Sequence, residues 1–135
     1  MSFKESLEFN NVRANVEASV DTVQSLCHGL AREAGWWDNR DLDDPQTIPT
    51  CLCLVHSEIS EAMEGARKNR MDDHLPHRKA LEVELADAMI RILDLAGAYQ
   101  LDLGGALVEK LVYNTQRADH KREARAADDG KKILR

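Results

Sequence analysis

A chain of 135 residues, 43% hydrophobic and 31% charged, reads as one soluble domain with a real core but little to spare. Its formal net charge of −6 argues against a binder of nucleic-acid polymers, which carries a basic field. It leaves nucleotides open, because bound metal ions invert the local charge. No apolar run approaches the ~20 residues needed to cross a membrane. With no signal-peptide pattern at the N-terminus and an odd set of cysteines (Cys27, Cys51, Cys53), the expectation is a cytoplasmic protein with reduced thiols.

The predicted elements are all helical. The first helix covers about 11–34, where Val12, Val16, Val20, Val23, Leu26, Leu30 and Ala34 follow a three-to-four spacing and Gly35 supplies a stop. Residues 36–47 read as a loop, polar apart from Trp36 and Trp37. A second helix runs from about Ile48 to Lys68, with Pro49 in its first turn and Leu52, Val55, Ile59, Ala62 and Ala66 as its apolar face. Residues 69–76 form a turn, with His74 and His77 as turn or capping residues. The third helix spans about 77–100, its expected core stripe being Leu81, Leu85, Ala88, Ile92, Leu95 and Tyr99. A fourth runs from about Leu103 to Arg122, burying Leu103, Leu107 and Leu111. A charged tail, 122–135, is expected to fray. The fold class is therefore all-α: an antiparallel bundle of about four helices, in a single domain over 1–135.

Two acidic pairs stand out, Glu58-x-x-Glu61 and Glu84-x-x-Asp87. Three-residue spacing sets each pair on one helix face. Glu61 precedes Lys68 by seven residues and Glu84 follows Pro76 by eight. At ~1.5 Å per residue both lie roughly 10–12 Å from the shared turn. Helices joined by a short turn pack antiparallel, so the pairs face each other at similar height. Converging carboxylates repel unless a cation sits between them, and a hard divalent ion such as Mg2+ prefers oxygen ligands. The plainer alternative is a solvated acidic face. Glu64, Glu82 and Asp94 are assigned to exposed or supporting positions.

On the fourth helix Lys110, Asn114, Arg117 and Lys121 form one polar, mostly cationic stripe suited to phosphate oxygens, with Tyr113 beside it. The alternative is an ordinary solvent-facing stripe. Trp36 and Trp37 offer a stacking surface for a base, or else plug the bundle end. His28 lies two turns earlier and points toward the same place, or else is structural.

Taken in order, these residues resemble the MazG-like family of all-α nucleoside triphosphate pyrophosphohydrolases. The resemblance rests on E-x-x-E and E-x-x-D separated by a 22-residue spacer. The words His56-Ser57-Glu58-Ile59-Ser60-Glu61-Ala62, Glu84-Leu85-Ala86-Asp87-Ala88 and Ile90-Arg91-Ile92-Leu93-Asp94-Leu95-Ala96-Gly97 add to it. So do Gly35-Trp36-Trp37-Asp38 and Glu109-Lys110-x-x-Tyr113-Asn114-x-x-Arg117. It covers about 35–121. It implies hydrolysis of an NTP or dNTP to monophosphate and pyrophosphate, with Glu58, Glu61, Glu84 and Asp87 holding Mg2+ (or Mn2+) and a homodimer or homotetramer as the working form. Water attacks the α-phosphorus in this reading, Glu61 or Glu58 is the candidate base, and Lys110 and Arg117 meet the leaving pyrophosphate. The rival expectation is a non-catalytic helical module that senses nucleotides or binds partners. No P-loop or paired His-Asp motif supports release of orthophosphate.

Overall fold

The computed structural model describes residues 2–117 and 121–126. Within them the fold is all-α, without a β-strand. The helices are α1 (Phe3–Ser6), α2 (Asn10–Glu33), α3 (Thr47–Lys68), α4 (Ala80–Ala98), α5 (Leu103–Gln116) and α6 (Arg122–Ala126). No helix of the described residues is long and apolar enough to cross a membrane. The chain divides into two compact units, one of residues 22–101 and one of 1–21 with 102–135.

The larger unit is built on the α3–α4 hairpin. Its interface is made of small residues: Ala62 and Gly65 on α3, Ala80 and Ala88 on α4, all buried. A Cβ added at Gly65 would lie 2.8 Å from the Ala80 Cβ, so the helix axes approach closely there. Glycine matters a second time at Gly97, where an added Cβ would lie 2.5 Å from the His28 Cβ and α2 crosses α4. Asn69 ends α3 in the left-handed conformation (φ 48°), which Asn tolerates better than most residues.

The helix expected from His77 begins instead at Ala80. Buried Asp72 accepts from the backbone N–H groups of His74 and Leu75, and the backbone pairs Asp72 with Arg78 and Ala80 with Arg70. The resulting Met71–Lys79 bridge holds Lys79 extended (φ −71°, ψ 140°), just before the first turn of α4. His74 and His77 remain in the turn, as expected.

The expected core stripes are corrected in part. Leu81, Leu85 and Ile92 on α4, and Leu52 and Ile59 on α3, are exposed, as is Met63 beside them. The two helices meet through their alanines and glycine, which leaves these larger residues on the far side of the hairpin. On α2 the residues turned toward α4 include Gln24, whose Nε2 donates to the Leu101 carbonyl, and His28. Val23, Leu26 and Leu30 are left exposed.

In the other unit, the short helix α1 was not expected from the sequence. It is closed by a capping box: Ser2 Oγ accepts from the Glu5 N–H and the Glu5 carboxylate accepts from the Ser2 N–H. Asp102 caps α5, accepting from the Gly105 N–H at 2.8 Å. Gly104 meets Glu17 and Asp21 of α2, and Val108 is buried, whereas Leu107 and Leu111, expected in the core, are exposed because Gly104 and Val108 take the inward positions. The helix expected to reach Arg122 stops at Gln116, with Arg117 extended (φ −66°, ψ 132°). Near its end Thr115 Oγ1 donates back to the Val112 carbonyl, a side-chain bond that competes with helix continuation. Residues 118–120 and 127–135, including most of the expected tail, lie outside the described residues.

Candidate metal centre and adjoining cavity

The close α3–α4 approach brings acids from both helices together. Glu58, Glu84 and Asp87 each offer a carboxylate oxygen, and these oxygens lie within 4.8 Å of one another. Glu58 is buried, at 7% exposure, and the other two are half-buried. Burial raises the Glu84 carboxyl above its ordinary range, and the charges of Glu61, Glu58 and Asp87 push the same way. Burial likewise raises Asp87, with Glu58 adding to it and Arg91 opposing it. Glu61, the fourth expected ligand, is exposed and falls outside this tight group. It remains near enough for Glu84 to feel its charge.

Three converging carboxylates form a hard, all-oxygen donor set, which fits Mg2+ or Mn2+ rather than a soft metal. Arg91 provides the local counter-charge: its Nε donates to Glu58 Oε1 at 2.5 Å. The sequence reading did not single out Arg91. The signal for it was present, because Arg91 lies four residues after Asp87 and shares its helix face. Glu64 and Glu82 are spent elsewhere. Arg67 and Lys68 hold the Glu64 carboxyl down to about 2, and Glu82 pairs with Arg78.

Beside the acids, α2, the Trp36–Trp37 loop, α3 and α4 line a solvent-open cavity of about 550 Å3. Asp87 and Arg91 line it, so the acidic cluster and the cavity share a wall. Trp36 and Trp37 line it too, Trp36 being largely exposed. Trp37 is built into the wall. Its Nε1 donates to Asp94 at 2.8 Å, the Arg40 guanidinium lies 5.0 Å from its ring centroid, and the His28 ring meets it edge-on at 5.6 Å. His28 Nδ1 bonds the same Asp94 oxygen at 2.8 Å. Asp94 therefore gathers His28 and Trp37 together, a function its sequence position did not reveal. The loop is tied down by Tyr99, whose hydroxyl donates to the Leu42 carbonyl, and by Arg40, which donates to the Cys51 thiol. Burial pushes the cavity-lining Cys27 thiol up, which disfavours its reactive thiolate.

The remaining candidates stand in the other unit. Lys110 Nζ lies 4.7 Å from the Tyr113 ring centroid. Asn114 lies a turn after Lys110 on α5, its Oδ1 buried and without a hydrogen-bond partner among the described residues. Arg117 ends α5 and Lys121 lies beyond it in a bend, so the four-residue cationic stripe expected on one continuous helix is not formed. Comparison with family models, curated proteins and solved structures finds no match for the chain.

Proposed function

We propose that this protein is a metal-dependent nucleoside triphosphate pyrophosphohydrolase, converting an NTP or dNTP to the monophosphate and pyrophosphate. The observation that carries the reading is the meeting of Glu58, Glu84 and Asp87 from two helices beside a cavity of nucleoside size. The ordered E-x-x-E and E-x-x-D words and their resemblance to the MazG-like family supply the reaction class.

Glu58, Glu84 and Asp87 would hold Mg2+, with Glu61 at the edge of the group. The bound ion would neutralise phosphate charge as the anhydride breaks. The chain's own residues do the remainder. A carboxylate orients a water toward the α-phosphorus and takes its proton, and exposed Glu61 suits that task better than Glu58, which Arg91 engages. The bond between the α-phosphorus and the bridging oxygen breaks, and that oxygen leaves with pyrophosphate. The cavity holds the base and sugar, with Trp36, Trp37 and His28 at its wall. Lys110, Asn114 and Arg117, with Tyr113 beside them, are assigned to the phosphates by the family resemblance.

The working form in this reading is a homo-oligomer. Leu52, Ile59, Met63, Leu81, Leu85 and Ile92 leave a broad apolar face on the α3–α4 hairpin, more than a small soluble chain ordinarily exposes. The same face favours the second reading, a non-catalytic helical module that binds partners or senses nucleotides.

The test is a pyrophosphate-release assay over canonical dNTPs and NTPs with Mg2+, with Mn2+ and with EDTA. Metal-dependent release with monophosphate as co-product is expected. No release from any nucleotide would move the assignment to the sensing or interaction module.

A further inference from the structure

Among the described residues two cations line the cavity beside the acids, Arg40 and Arg91. Arg40 is spent on the wall: its Nη1 donates to the Cys51 thiol, and its guanidinium lies 5.0 Å from the Trp37 ring centroid. Arg91 is engaged at Nε, which donates to Glu58 Oε1 at 2.5 Å. Its terminal nitrogens make no hydrogen bond among the described residues, and the side chain keeps 40% of its surface. Asp87 lines the cavity beside it, and the charge of Arg91 reaches that carboxylate too. Arg91 is therefore the cavity cation with donors to spare, placed between the acids and the open space. Lys110 and Arg117 belong to the other unit.

A guanidinium beside the carboxylates of Glu58, Glu84 and Asp87 offsets their repulsion, as a divalent cation would. Held at Glu58, it also opposes a second positive charge entering the group. Arg91 and a divalent cation thus compete for Glu58. A guanidinium turned away from a carboxylate needs another anion, and its planar fork matches phosphate oxygens as well as it matches carboxylate oxygens. We infer that Arg91 is a phosphate-contacting residue of this cavity: it holds Glu58 in the cation-free chain and grips a phosphate oxygen of the nucleotide once Glu58 has a divalent cation to serve. The inference rests on the pyrophosphohydrolase reading of the site and names the residue that couples its cation to its substrate.

The test reads binding rather than turnover, so that the inference and that reading fail separately. The full chain and Arg91→Met are titrated calorimetrically with Mg2+ alone, then with inorganic pyrophosphate at saturating Mg2+. Without Arg91 the Mg2+ affinity is expected to rise about fivefold, because no ion pair has to be broken. The pyrophosphate affinity is expected to fall about tenfold or more, the usual worth of a charge-assisted hydrogen bond. Arg91→Lys keeps the charge and loses the fork, and its pyrophosphate affinity should lie between the other two. Should Arg91→Met fail to fold, Arg91→Lys decides, by pyrophosphate binding about threefold or more weaker than in the unaltered chain. A lower Mg2+ affinity in Arg91→Met with the pyrophosphate affinity unchanged would mean that Arg91 only orients Glu58, and would overturn the inference. So would no binding of Mg2+ or of pyrophosphate by the unaltered chain. Metal-dependent turnover with a pyrophosphate affinity indifferent to Arg91 would overturn the inference and leave the pyrophosphohydrolase reading standing. Arg91-dependent pyrophosphate binding in a chain that turns over no nucleotide would support the inference and move the site to the sensing module.

Discussion

Arg91 and Glu58 form an ion pair across the α3–α4 interface, Nε to Oε1 at 2.5 Å, with Glu58 buried and Arg91 40% exposed. One guanidinium thus serves a cluster of three carboxylates, and it also lowers the Asp87 carboxyl against the pull of burial. Removing one partner of such a pair leaves a buried charge uncompensated. Arg91→Met is expected to cost about 1–2 kcal/mol without metal, the usual buried-pair penalty being reduced by the exposure of Arg91. Millimolar Mg2+ should recover most of it. Urea midpoints with and without Mg2+ measure both effects, and an unchanged midpoint in the variant would contradict the role given to the pair.

The raised carboxyls make the metal-free chain pH-dependent. A carboxyl raised on folding contributes stability below its unfolded value and loses that contribution as pH rises through the raised one. Glu84 and Asp87 are both raised, so their contribution falls away from the ordinary carboxylate range upward. Glu84→Gln removes one member of the repelling group. Without metal, the variant should melt a few degrees above the unaltered chain at neutral pH, and the two should converge in acid. Mg2+ should raise the melting temperature of the unaltered chain more than that of the variant. Thermal melts across pH, with and without Mg2+, give the comparison; a variant that melts lower at neutral pH would contradict it.

Under the pyrophosphohydrolase reading, Asp87→Asn and Glu61→Gln should each abolish turnover while leaving the helical circular-dichroism spectrum intact. The two are expected to differ in metal binding. Asp87 belongs to the tight group and Glu61 does not, so Asp87→Asn should weaken Mg2+ more. Calorimetric titration with Mg2+ separates them, and near-normal turnover in both would sink the assignment.

The apolar face of the hairpin should be buried in solution. Ile59 and Leu85 are both about half exposed on it. The unaltered chain is expected to run at twice its 15.2 kDa mass or more, and Ile59→Glu with Leu85→Glu at close to the monomer mass. Light scattering after size exclusion reads this directly. A monomeric unaltered chain would favour a different partner for that face.

Gly97 faces the His28 Cβ with no room for a methyl group. Gly97→Ala should force α2 and α4 apart and cost about 1–3 kcal/mol, the usual range for overpacking. Because His28 is bonded to Asp94, the same change should disturb Trp37 and alter its fluorescence. A neutral substitution in a chemical-denaturation curve would mean that the helices slide apart easily.

The all-α class was legible in the sequence because helix periodicity, the Gly35 stop and the Asn69–Pro76 turn are local signals that agree with one another. Two acids on each of two helices joined by a short turn also fixed their height from counting alone, since rise per residue is constant. Three matters were decided only in the folded chain. Which acids lie within one ion's reach depended on Ala62, Gly65, Ala80 and Ala88, whose small side chains set how near the helices come. Which apolar residues are buried was misread in part on α3 and α4, because alanines and a glycine fill the contact and leucine and isoleucine are left outside it. Asp94 gave no sign in sequence of gathering His28 and Trp37, residues 66 and 57 positions away. Periodicity reports a helix's own faces, whereas a bond across such distances exists only once the chain has closed on itself.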